Sequence, residues 1–259
     1  MLSKAGSTWR PSPPPVSRED CTICQGTGWE LVNERGVSRA RPCSCRALDR
    51  LIRMKDRVRI PQCHEHCTLD NYEPANFSQT RALCEARAFV QKYPWPGRDI
   101  FFAGGPGVGK THLAVGILRE IMPKLAEDAL FIDFIDLCRA MESGSHCAGL
   151  SQAAWERVTL APVLVLDNFG MVTPGREILA LAVRLVSVRW KAHRPAIFTG
   201  ERVRSTLLKS GVADRTSPTQ IFLSALPPRF LLGLVSRVQI ISMVGEDFRP
   251  RTGTGAPLF

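Results

Sequence analysis

The sequence predicts an α/β protein with a parallel sheet flanked by helices, preceded by a small cysteine-rich module. Three observations lead there. From about residue 76 onward, short apolar runs alternate with helical patterns, the signature of a parallel sheet. A glycine-rich run, GGPGVGKT from Gly104 to Thr111, stands between one such apolar run and one such helical pattern. Of nine cysteines, four form two close pairs, Cys21 with Cys24 and Cys43 with Cys45. At 259 residues and 44% hydrophobic content the chain can bury one full core and still carry an appendage.

Residues 1–18 hold Pro11, Pro13, Pro14 and Pro15 among serines and are expected to form an extended or disordered tail. The stretch MLSKAGSTWRPSPPP lacks the apolar centre of a signal peptide, and no run approaches the length of a membrane span. A cytoplasmic protein without membrane contact is therefore expected, with its cysteines reduced or bound to metal. Residues 19–59 make the cysteine-rich module and a basic helix. Two close thiolate pairs brought together by a loop suit tetrahedral zinc, so Cys21, Cys24, Cys43 and Cys45 are the predicted ligands. Cys63, His64, His66 and Cys67 offer a replacement for one of them, and plain reduced thiols are the alternative to both. Between Arg46 and Arg59, Leu48, Leu51, Ile52 and Val58 fall on one helical face and Arg46, Arg50, Arg53 and Arg57 on another. Such a face docks on DNA or a protein, or is simply solvated. Net charge of +10 and a pI near 9.5 favour an acidic partner, most simply nucleic acid. DNA is expected to be held mainly through its phosphates, since no base-reading motif is present.

Residues 60–75 read as a linker and 76–259 as the nucleotide-binding domain. Its strands are expected at Ile100–Ala103, Leu130–Phe134, Val163–Asp167, Ala196–Thr199 and Val238–Met243. Gly104, Gly109, Lys110 and Thr111 meet the G-x-x-x-x-G-K-[ST] spacing, in which backbone N–H groups cradle phosphates and the lysine reaches the outer ones. Leu113, Ile117 and Ile121 then recur at helical spacing up to Pro123, so a helix N-terminus points at the anion. The loop residues Gly104, Gly105, Gly107, Val108 and Gly109, with Lys110, Thr111 and His112, are the predicted ATP contacts. Val163 to Leu166 run straight into Asp167, which is expected to hold Mg2+ together with Thr111, on a strand lying beside the loop strand.

With the loop and Asp167 in place, the chain resembles the AAA+ ATPases of the helicase-loader type, the DnaC and DnaI loaders and the related IstB transposition helper. The resemblance is carried by IPQCHEHCTLDNY, GRDIFFAGGPGVGKTHLA, VLVLDNFG, RWKAHRPAIFTGE, LVSRV and GEDFR. It implies an AAA+ sheet, ATP bound between the subunits of an ATP-dependent homo-oligomer, a replicative DNA helicase as partner, and single-stranded DNA as the strand on which that helicase is placed. By the same resemblance Arg237 reaches a neighbour's nucleotide and Arg249 touches nucleotide in its own subunit. Two positions depart from the family. An acid usually follows the magnesium aspartate, where this chain has Asn168; an asparagine usually ends the next strand, where it reads Thr199-Gly200-Glu201. Hydrolysis is therefore expected to be slow. Either Glu201 takes over water orientation while Asn168 faces a phosphate oxygen, or Glu201 merely begins a loop. Three functions stay open: a helicase loader for DNA replication, an IstB-like helper whose partner is a transposase, and an ATP-binding adaptor that barely hydrolyses. The cysteine module favours the loader.

Overall fold

The computed structural model describes residues 21–34, 37–43, 45, 58–94, 96–125, 128–142, 151–203 and 217–248. The expected tail, the arginine-rich stretch 46–57 and Arg249 lie outside the described residues. The chain divides into two units, Met1–Lys55 and Asp56–Phe259.

In the first unit, β1 (Trp29–Glu34) and β2 (Val37–Pro42) form an antiparallel hairpin with Trp29 opposite Pro42. Every residue of β2 is exposed, and Ile23, Trp29 and Leu31 are exposed as well, while Cys24 and Cys43 are buried. A hairpin with so little apolar cover needs another source of order.

The second unit is built on a five-stranded parallel sheet in the order β4-β5-β6-β3-β7, with β3 at Asp99–Gly104, β4 at Leu130–Asp133, β5 at Leu164–Asp167, β6 at Ala196–Gly200 and β7 at Val238–Met243. β3, β5 and β6 are buried along their whole length, as strands covered by helices on both faces must be. The flanking helices are α1 (Phe77–Lys92), α2 (Lys110–Ile121), α3 (Phe134–Glu142), α4 (Gln152–Leu160), α5 (Arg176–Lys191), α6 (Pro218–Ser224) and α7 (Pro228–Arg237). Asn76 caps α1 by accepting from the Gln79 N–H, and Pro123 ends α2 in a short 3-10 turn.

The strand positions expected from the sequence are found within a residue or so, with Phe134 starting α3 rather than ending β4. One expectation is corrected. The Asp167 strand does not lie beside the loop strand, because β6 pairs with both β5 and β3 and separates them.

Candidate functional site

The phosphate loop joins β3 to α2 at the carboxyl end of the sheet. Gly107 and Gly109 have φ of 66° and 93°, conformations that L side chains rarely adopt. A Cβ on Gly109 would stand 2.5 Å from the Tyr72 ring, and one on Gly107 would overlap the Asp247 carboxylate. The loop is therefore enclosed on two sides. The Tyr72 hydroxyl donates to the Val108 carbonyl at 3.2 Å, and burial pushes its pKa up to about 12. From the other side the Phe248 N–H donates to the Gly107 carbonyl at 3.2 Å. Residues 60–75, read as a linker, thus pack on the loop helix: Leu69 lies against Gly116, and His112 Nε2 sits 2.9 Å from both the Thr68 carbonyl and Asn71 Oδ1. The Lys110 ammonium donates to the Gly105 carbonyl at 2.6 Å, which curls the side chain back over the loop.

Across from the loop, Thr111 Oγ1 donates to Asp167 Oδ1 at 2.9 Å, and the Thr199 hydroxyl donates to the same oxygen. The Asn168 N–H in turn donates to Thr199 Oγ1 at 3.0 Å, so a chain of donors from β5 and β6 orients the carboxylate. Burial raises the Asp167 pKa, the two threonine hydroxyls oppose that shift, Asp133 adds to it, and Lys110 opposes it. A buried carboxylate oxygen sharing one point with a threonine hydroxyl is a hard-oxygen donor pair, the type Mg2+ prefers, and the glycine cradle fits phosphate beside it.

Asn168 has φ of 55°, and its side-chain amide donates to Asp133 Oδ2 at 2.7 Å. Glu201 directly follows β6, the neighbour of β5, with its N–H donating to Thr219 Oγ1 at 2.9 Å. Arg237 ends α7 at the other end of the strands, since Val238 pairs with Asp99, the first residue of β3. Its exposed guanidinium lies 5.5 Å from the Trp190 ring centre. The Trp190 indole donates to Asp99 at 2.8 Å, and burial raises the Asp99 pKa to about 6.

In the first unit the four predicted sulfurs of Cys21, Cys24, Cys43 and Cys45 lie within 4.8 Å of one another. The separations of 3.8 Å for Cys21 to Cys43 and 3.4 Å for Cys24 to Cys45 approach the edge of about 3.8 Å set by tetrahedral Zn–S bonds of about 2.3 Å. Backbone N–H groups of Cys24 and Ile23 pull the Cys21 thiol down to about 6, and Gly28 donates to Cys24 Sγ at 3.2 Å. Contact with Cys24 raises the Cys45 thiol. The set fits zinc. Cys67 instead belongs to the second unit, 3.7 Å from His64 Nδ1 and 3.9 Å from His66 Nε2, with burial raising it to about 11.

Sequence reasoning missed Asp133 and Thr199. Each is a polar residue closing an apolar strand run, as Asp167 is, which is the signal that could have found them.

Residues 45–205 match the family described as IstB-like ATP binding protein. The replicative helicase loader DnaC of Escherichia coli K12 is 27% identical over 199 residues, covering 73% of this chain and 80% of the relative. The phage-like element PBSX protein XkdC of Bacillus subtilis 168 is 23% identical over 226 residues, 82% of each chain. Among solved structures, the DnaC helicase loader superposes with a TM-score of 0.56 at 26% identity, over 71% of this chain and all of that one. AMPPCP-bound DnaA from Aquifex aeolicus shares the fold with a TM-score of 0.54 at 13% identity, over 71% of this chain and 51% of that one. These likenesses bear out the expected AAA+ fold.

Proposed function

The chain belongs to the IstB-like ATP-binding protein family, and on that premise we propose that it is an ATP-dependent loader of a replicative DNA helicase. The observation that carries the reading is the joining of Thr111, from the phosphate loop, to Asp167, 56 residues away. It supports a site in which Gly104, Gly105, Gly107, Val108 and Gly109 cradle phosphate, Lys110 meets the outer oxygens, and Thr111 and Asp167 hold Mg2+. His112, tied to Thr68 and Asn71, braces the loop helix against residues 60–75. The metal would neutralise charge developing on the phosphates.

Glu201 follows β6 at the same end of the sheet, and the sequence leaves two readings of it, water orientation or the start of a loop. Arg237 is exposed at the far end of the strands from Lys110, and we assign it, as the family resemblance implies, to a neighbouring copy's nucleotide rather than its own. This supports an ATP-dependent homo-oligomer, in which such an arginine contributes about 10³ to 10⁵ in rate. Arg249 would meet nucleotide in its own subunit. Hydrolysis is slow in this reading, because an amide stands where the family has an acid. The helicase as partner rests on the likeness to the loader DnaC. Single-stranded DNA, onto which such a loader places the helicase, is a second partner, and the charge of +10 suits contact with its phosphates. The four-cysteine unit binds zinc. We divide the chain into a tail at 1–18, the zinc module with its basic helix at 19–59, a linker at 60–75 and the ATPase domain at 76–259.

The family's IstB namesake favours one second reading, a helper of a transposase. Affinity capture in the presence of Mg2+ and ATP, followed by identification of what co-purifies, separates the two. Recovery of the replicative helicase is the expected result; a transposase in its place would transfer the chain to the second reading.

A further inference from the structure

We propose that Asp133 is the carboxylate that takes the proton of the attacking water, and that Asn168 is the residue that positions it. The inference rests on the ATP-binding reading above and deepens it. Asp133 closes β4 and Asp167 closes β5, and the two are partners in the parallel ladder, so both acids emerge at the same end of the sheet as the phosphate loop. In open α/β sheets that end is where ligands bind. Asn168 follows Asp167 directly, and its side-chain amide donates to Asp133 Oδ2 at 2.7 Å. The side-chain position that the family fills with an acid therefore ends, in this chain, on a carboxylate borrowed from the next strand.

An amide cannot accept a proton at neutral pH, whereas the carboxylate it grips can. Asp133 Oδ1 accepts the Ile135 N–H at 2.7 Å. Each carboxylate oxygen has two lone-pair sites, so a site remains on each for water. Asp133 is half-buried and stands opposite Asp167 in the ladder between β4 and β5. The backbone N–H of Glu201 is given to Thr219 Oγ1, which donates to the Phe169 carbonyl at 3.3 Å and ties the end of β6 to α6. In the reaction, the water oxygen bonds to the γ-phosphorus as the bond from that phosphorus to the β–γ bridging oxygen breaks. ADP departs with that electron pair, and the water's proton passes to Asp133 and then to solvent.

The test measures Mg-ATP affinity by calorimetry and hydrolysis by single-turnover kinetics in the full chain. Asp133→Asn is expected to bind ATP as the parent does and to lose turnover by roughly 10² to 10⁴, the range for removing a general base. Asn168→Ala should lower kcat and leave KM unchanged. Combining Asp133→Asn with Asn168→Asp rebuilds the same hydrogen-bonded pair with the carboxylate on β5, and aspartate tolerates the left-handed backbone there. That double variant should regain most of the lost turnover, which a merely structural strut would not predict. Parent turnover in Asp133→Asn, a larger loss in Glu201→Gln than in Asp133→Asn, or a parent that binds ATP without turning it over would each overturn the assignment. A parent that fails to bind ATP would instead remove the underlying reading.

Discussion

Phe169 holds the residue before it in place. Its ring is 1% exposed and packs against Phe134, Phe198 and Phe222 at centroid distances of 4.8, 5.0 and 5.5 Å. With that anchor below and the N–H of Phe169 bonded to the Thr199 carbonyl at 2.7 Å, Asn168 is fixed in a left-handed conformation that asparagine accepts more readily than most residues. Phe169→Ala should therefore cost about 3–5 kcal/mol of stability, read as a lower denaturation midpoint. It should also loosen the hydrogen bond from Asn168 to Asp133. An unchanged midpoint would mean that the aromatic cluster does not brace the site. At this scale Asp167 was legible in the sequence, because an apolar run ending in an acid beside a phosphate loop has few other meanings. The Asp133–Asn168 pair was not legible. The two residues are 35 apart, and their meeting depends on which strands are neighbours and in what register.

The elements explain what the runs of residues could not. Apolar spacing located the five sheet strands, but it carries no information on lateral order, and β6 inserts between β3 and β5. Arg189 is a second case. In the sequence RWKAHRPAIFTGE it reads as one more basic residue at the end of an amphipathic helix, yet it is 1% exposed. Its guanidinium donates to the carbonyls of Val158 at 3.0 Å, Ala161 at 2.9 Å and Pro195 at 2.7 Å. It thus closes the carboxyl end of α4 and ties α5 to the entry of β6. Burial lowers its pKa to about 9. Arg189→Met would leave the buried Val158 and Ala161 carbonyls without this donor, at about 1–3 kcal/mol each, while the Pro195 carbonyl keeps the Leu164 N–H. The expected loss of at least about 2 kcal/mol corresponds to roughly 4–8 °C in Tm for a chain of this size. A Tm equal to the parent's would show that water or a rearranged backbone replaces the arginine.

At the scale of the whole molecule, the two units depend on different sources of stability. The sheet unit has a continuous apolar core, centred on residues such as Phe101, Leu164, Phe198 and Leu185. The first unit has four convergent sulfurs and an exposed hairpin. Metal analysis of protein purified without chelator should find about one zinc per chain. Its removal should unfold the first unit, because structural zinc contributes about 10–16 kcal/mol of apparent binding energy in small peptides. Protein free of zinc with an ordered hairpin would leave the cysteines as reduced thiols. The second unit carries the central claim, that the phosphate loop binds ATP and that helicase loading depends on it. Titration calorimetry of Mg-ATP into the parent and into Lys110→Ala tests that claim most directly. Saturable binding in the parent and none in the folded variant is the predicted result; equal ATP affinity in the two would contradict it.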